Sequence, residues 1–242
     1  METRGDGTPA AARATGDDAR MAHDQITVLT ALPADTESEL LLMALASAFE
    51  VVGRHDSIDT VALTAVDLVP DVLIAHDALG RDGFPDLARR LNDEVPVTRV
   101  VALTDHDDDL TYEMVRGGVF SVVSTRASIE EIVKATRSAG RSESVISAGV
   151  ARRLIDEMTR TANMASHPAI RPPSLTLTER EVLTLIARDK LADEIAAMYD
   201  VTARLVNLHT GYAVAKLQQH LAQERKLVNS GRSLADNAGT NT

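Results

Sequence analysis

The sequence predicts an α/β domain on a five-stranded, parallel, doubly wound sheet, followed by a small all-α domain. Three observations predict it. From Ile26 to Gly140, short β-type runs alternate five times with helical stretches, the pattern of a parallel sheet with right-handed crossovers. Two of those runs, DVLIA (71–75) and TRVVALT (98–104), are almost unbroken apolar segments, as expected of strands covered on both faces. Beyond three prolines in TANMASHPAIRPPS (161–174), the pattern becomes purely helical.

Taken in order, the strands are ITVLT (26–30), EVVGR (50–54), DVLIA (71–75), TRVVALT (98–104) and FSVVS (120–124). The helices between and after them are 35–49, 57–66, 84–94, 107–118 and 128–139. Asp35 and Ser128 stand where N-caps belong, with Glu39 and Glu131 in the following turn to complement the helix dipole. In sheets of this kind the functional crevice lies at the carboxyl ends of the strands. That directs attention to the residues after Thr30, Ala75 and Thr104.

A helix over 144–160 leads into the proline-rich linker. Three helices then follow: 177–188, 192–199 and 202–219. Val182, Leu185 and Ile186 share a face in the first of these; Ile195, Ala196 and Met198 do so in the second. Val206, Ala213, Val214 and Leu217 do so in the third. The tight Asp200-Val201 link between the last two outlines a helix-turn-helix. The segment LAQERKLVN (221–229) is the candidate for a fourth helix. The domain plan is therefore a disordered tail (1–24), the α/β domain (25–141), a linker helix and Pro-rich linker (142–174), a four-helix domain (175–228) and a second disordered tail (229–242).

Composition narrows the function. The chain of 242 residues has no cysteine, so disulfide and thiolate chemistry is excluded. Aromatics make up 2% and tryptophan is absent, which argues against stacking platforms for single-stranded nucleic acid. The net charge of −11 requires that any DNA contact be local. No apolar run approaches the ~18 residues of a membrane span, and the N-terminus carries no secretory pattern. A cytoplasmic protein is expected.

The runs LTLTEREVLTLIAR and DEIAAMYDVT, with V-x-x-H and AKL downstream, resemble the LuxR-type C-terminal domain. Preceded by the five-fold β/α unit, they resemble the NarL/FixJ class of response regulators over residues 25 to 218. That resemblance implies a dimeric transcription regulator whose receiver takes a phosphoryl group on an aspartate after the third strand. Mg²⁺ would be held by two acidic residues after the first strand, and a lysine after the fifth would contact the phosphoryl group. Mg²⁺ needs such oxygen ligands because it is a hard cation.

This chain departs from that pattern at each charged position. The acidic pair falls on Leu32 and Pro33, the phosphoacceptor on His76, and the lysine on Thr125. Only Thr104, at the end of the fourth strand, keeps the family's residue type, and the aromatic switch position falls on Val122. Asp77 could reach the pocket through a one-residue bulge; otherwise it is a surface-loop aspartate. Phosphorylation of His76 lacks an activating partner. The run Asp105-His106-Asp107-Asp108-Asp109 looks like a metal cluster, but acidic residues at a helix start also complement the dipole. No cofactor, metal site or enzymatic activity is expected.

For DNA, Thr202 suits the helix cap and a phosphate contact, and Arg204 and Asn207 lie on the outward face of the first turns, where Arg can bond guanine and Asn adenine. His209 matches the family's histidine and Lys216 a basic residue near the helix end. Leu205 and Asn207 stand where threonine and lysine are usual. A glycine expected after the first helix is replaced near Asp189-Lys190. Outside Glu194, the acidic side chains Glu179, Glu181, Asp189, Asp193 and Asp200 balance the basic ones, Arg180, Arg188, Lys190, Arg204 and Lys216, so no basic footprint forms. The expectation is a phosphorylation-independent DNA-binding regulator. Its receiver would dimerise, with itself or a related regulator, or sense a small, apolar or neutral ligand. The alternative is a protein-contact regulator with weak DNA binding, using Leu205 and Leu208 as a partner face.

Overall fold

The computed structural model describes residues 25–80, 84–105, 108–163 and 173–239. The strands are β1 (Thr27–Ala31), β2 (Glu50–His55), β3 (Val72–His76), β4 (Arg99–Leu103) and β5 (Val119–Val123). The helices are α1 (Thr36–Ala48), α2 (Ile58–Leu68), α3 (Phe84–Glu94), α4 (Asp108–Gly117), α5 (Ile129–Gly140), α6 (Ala148–Asn163), α7 (Leu177–Ala187), α8 (Ala192–Tyr199) and α9 (Ala203–Gly239). All strands pair in parallel in the order β2-β1-β3-β4-β5. That order places a topological switch point at the carboxyl ends of β1 and β3.

Alternation along β3 explains its apolar run. Val72 and Ile74 join one buried layer, while Leu73 and Ala75 join the other. The first layer does not end at the sheet. It continues through Phe120, Val150 and Leu154 into Leu183, Ala213, Val214 and Leu217 of the helical part. The two predicted domains therefore share a core.

Local signals set the helix starts as expected. Asp35 accepts from Ser38 N (2.8 Å) and caps α1. Ser128 and Glu131 form a reciprocal capping box on α5, and Thr176 and Glu179 form another on α7. Caps of this kind stabilise by about 1 kcal/mol each. Asp189, where a glycine was expected, does take the left-handed conformation (φ 62°). Arg152 compensates by donating to Ala187 O at the end of α7 (2.7 Å) and pairing with Asp189 itself.

Three expectations are corrected. Residues 221–229 are not a separate fourth helix, because α9 runs unbroken from Ala203 to Gly239; no proline interrupts it. Residues 229–239, read as tail, continue that helix. Met198, read as a core position, is 57% exposed, since α8 buries only Ile195 and Ala196. The expected tail at 1–24 and most of the proline-rich linker lie outside the described residues.

Candidate functional site

Two places carry the residues singled out from sequence: the carboxyl end of the sheet, and α9.

At the sheet end, Leu32 is fully buried and its N–H is bonded to His55 O (3.0 Å). The position expected for a metal-binding carboxylate is thus part of the core, and Pro33 beside it is half-buried. His76 ends β3, and its Nδ1 accepts from Ala78 N (3.1 Å). Asp77 opens a short 3₁₀ turn (Asp77–Leu79). Its side chain is 13% exposed and accepts from Thr104 Oγ1 (2.8 Å). Asp77 is therefore not a surface-loop aspartate: the turn folds it back onto the end of β4. Its other oxygen, Oδ1, lies 3.2 Å from His76 Nδ1.

Thr125, at the lysine position, is held by Asp105. That carboxylate accepts from Ser124 Oγ (2.5 Å), Thr125 N (3.1 Å) and Thr125 Oγ1 (2.5 Å), and Arg126 Nε lies 3.5 Å away. The Ser124 hydroxyl, then the Thr125 hydroxyl, hold the Asp105 carboxyl below its ordinary value. So the first residue of the acidic run ties β4 to β5 and holds Thr125. Sequence reading missed this role. The available signal was the pair Ser124-Thr125, two donors directly opposite an acidic strand end. His106 and Asp107 lie outside the described residues.

A cleft of about 580 Å³ opens beside this network, between α1 and the start of α5. Leu32, His76 and Thr125 line it, together with Leu41, Leu103 and Ile132. Pro33, Asp77 and Thr104 are not among its lining residues. Asp35 and Glu37 stand on its rim, and neither was picked out for the pocket from sequence.

On α9 the candidates divide. Thr202 is exposed and caps the helix, accepting from Leu205 N (3.3 Å). Lys216 is turned inward: its Nζ donates to both oxygens of Glu179 (2.8 Å each). Burial alone would raise the Glu179 carboxyl, but Lys216 and Thr176 outweigh it and the net shift is downward. Lys216, singled out from sequence for DNA, thus has a structural partner in Glu179. The His209 ring meets Tyr212 edge-on, centroids 6.4 Å apart. It lines an apolar groove with Leu205, Tyr199 and Val201. Leu205, half of the suggested partner face, is 39% exposed; Leu208 is half-buried.

Arg204 and Asn207 begin a stripe that meets residues 142–144 and, further along, the α/β domain. Arg204 Nε pairs with Glu143 (2.6 Å), and Asn207 O accepts from Ser144 N (3.0 Å). One turn on, Gly211 packs so closely that a Cβ there would overlap Ser142 O and stand 3.0 Å from Phe120 Cζ. Further along, Gln218 Nε2 donates to Val115 O and Val119 O (2.9 and 2.8 Å), while Asn92 Nδ2 donates to Gln218 O (3.1 Å). Arg225 pairs with Asp93 (3.2 Å). Positions 204, 207, 211, 218 and 225 recur at three-, four- and seven-residue spacing, which is one face of a helix.

Residues 173–225 match the luxR family of bacterial regulatory proteins (the GerE model). The transcriptional regulatory protein LiaR of Bacillus subtilis is 27% identical over 189 residues, spanning 75% of this chain and 87% of its own length. The response regulator VraR of Staphylococcus aureus is 27% identical over 173 residues, spanning 71% and 79%. The receiver domain of the putative response regulator NarL from Mycobacterium tuberculosis aligns with a TM-score of 0.45 and 21% identity, over 48% of this chain and 97% of that one.

Proposed function

From a chain that is a DNA-binding transcriptional response regulator, homologous to LiaR and VraR, with a receiver ahead of its LuxR-type helix-turn-helix, we propose a regulator that works without phosphoryl transfer. In this reading Thr202, Arg204 and Asn207 face DNA and the receiver controls their access to it. The observation that carries it is the sheet-end crevice. A core leucine and a proline stand at the metal carboxylates, His76 at the phosphoacceptor, and an Asp105-bound Thr125 at the lysine. Phosphoryl transfer depends on metal and fixed cations to neutralise developing charge, and Asp77, engaged with Thr104, supplies neither.

The receiver then acts through binding or dimerisation. The sheet-end cleft and the apolar outer face of α1, with Leu40 53% and Met43 69% exposed, support the two options respectively. Control over DNA follows from the stripe on α9. A recognition helix needs its outer face clear to enter a major groove about 12 Å wide. Here Arg204, Asn207 and Gly211 meet Glu143, Ser144 and Ser142. In this reading α9 parts from residues 142–144 and from Phe120 before its inner face takes DNA, while the Arg204 side chain, 65% exposed, already faces solvent. Mapping occupancy of the purified protein on total genomic DNA tests this function: specific sites bound without any phosphodonor are expected, and their absence would count against it.

A specific observation favours a second reading. The exposed apolar side chains Tyr199 (47%), Leu205 (39%) and Val201 (38%) line the groove beside His209, and this surface suits a protein partner. Occupancy that appears only with a second regulator present would select that reading.

A further inference from the structure

The sheet-end cleft has a chemistry of its own. Its floor is apolar, formed by Leu32, Leu41, Leu103 and Ile132. Two more apolar side chains stand at the mouth while facing water, Leu40 at 53% and Ile129 at 38% exposure. At about 580 Å³ it falls within the usual range for small-molecule sites, roughly 300–1,000 Å³.

Its charges are unbalanced. Arg126 is the cation on the rim, and its guanidinium is already matched by Asp105 at 3.5 Å. On the opposite side Asp35, the cap of α1, and Glu37, in its first turn, line the cleft and make no ion pair with Arg126, whose partner is Asp105. The Ser38 N–H, with its hydroxyl, keeps Asp35 ionised by lowering its carboxyl below the ordinary value. An apolar hollow with net negative charge on one rim repels phosphate and carboxylates and attracts cations.

We propose that the cleft binds an amphiphilic amine, its apolar body on Leu32, Leu41, Leu103 and Ile132 and its ammonium against Asp35 and Glu37. This rests on the reading above that the receiver responds to binding. It replaces the neutral ligand expected from sequence with a cationic one, because Asp35 and Glu37 belong to the rim. His76 lines the same cleft between floor and rim, so the residue at the lost phosphoacceptor position serves the ligand as part of its wall.

The test uses the full chain and three probes of similar shape and different charge: 2-phenylethylamine, 2-phenylethanol and 3-phenylpropanoate. Binding is followed by isothermal titration and by ligand-observed NMR. The amine is expected to bind roughly five-fold tighter than the alcohol, the scale of two exposed ion pairs, with the carboxylate weakest. Asp35→Asn combined with Glu37→Gln should abolish the preference for the amine and leave the alcohol unchanged. Asparagine still caps α1, so folding is preserved, and a thermal melt checks it. Equal binding of amine and alcohol in the wild type overturns the amine assignment while leaving a ligand-binding receiver standing. A tightest carboxylate also overturns it. Binding of none of the three overturns both the assignment and the ligand-sensing reading beneath it.

Discussion

The sheet-end crevice and the recognition helix have departed from a response-regulator pattern in opposite ways. In the crevice the charged residue types are gone, and what replaces them is either core (Leu32) or tied into a local network (Thr125 with Asp105). On α9 charged and polar residue types remain, but several have partners inside the protein: Lys216 with Glu179, Arg204 with Glu143, and the Asn207 backbone with Ser144. The difference shows that losing a residue type and losing its availability are separate events. On the reading proposed above, the first ends phosphoryl chemistry. The second is reversible, because a hydrogen bond or ion pair within the protein can be exchanged for one to DNA when the contact opens.

The sharpest way to break that comparison is to expel α9 without touching its charged residues. Gly211→Leu places side-chain atoms where Ser142 O stands, a clash whose overpacking cost is about 1–3 kcal/mol. If the closed contact restrains DNA binding, the variant binds DNA on the order of tenfold tighter, read by fluorescence anisotropy on a mapped site. An unchanged affinity with a lowered melting point would mean the contact is only structural. Next in size, Lys216→Met leaves the buried Glu179 without its cation. It should lower stability to urea by about 1–3 kcal/mol. A residue serving DNA phosphate would instead leave the urea curve unmoved and weaken DNA binding.

Acid gives a smaller effect with a fixed sign. Glu179 is lowered in the folded protein from an ordinary value of 4.5. Its contribution is therefore complete above that value and is lost as pH falls through the lower folded one. Acid unfolding of the wild type should show this loss, and Glu179→Gln, already without the charge, should flatten that limb. Smallest of all is Asp77→Asn, expected to leave DNA affinity unchanged with or without a phosphodonor.

Much of the fold was legible because its signals are local. Alternating apolar runs gave each strand to within a residue or two, and Asp35, Ser128 and the Asp200-Val201 turn marked helix boundaries. The end of α9 was not legible: no proline or capping glycine separates residues 203–219 from 221–229, yet a break was expected there. In the site, Leu32, His76 and Thr125 were legible by counting from neighbouring motifs. Asp105, Asp35 and Glu37 were not, because their roles depend on which loops the sheet brings together. Nor does periodicity say that Lys216 turns inward toward Glu179, since both its inner and outer options satisfy a helical repeat.

The most direct measurement exposes the purified chain to acetyl phosphate and Mg²⁺, then records covalent phosphate and the DNA-binding curve on the same sample. The account predicts no covalent phosphate, neither an alkali-labile acyl phosphate nor an acid-labile phosphohistidine, and superimposable binding curves. Phosphate on Asp77, removed by Asp77→Asn and accompanied by a shift in DNA affinity, would contradict it.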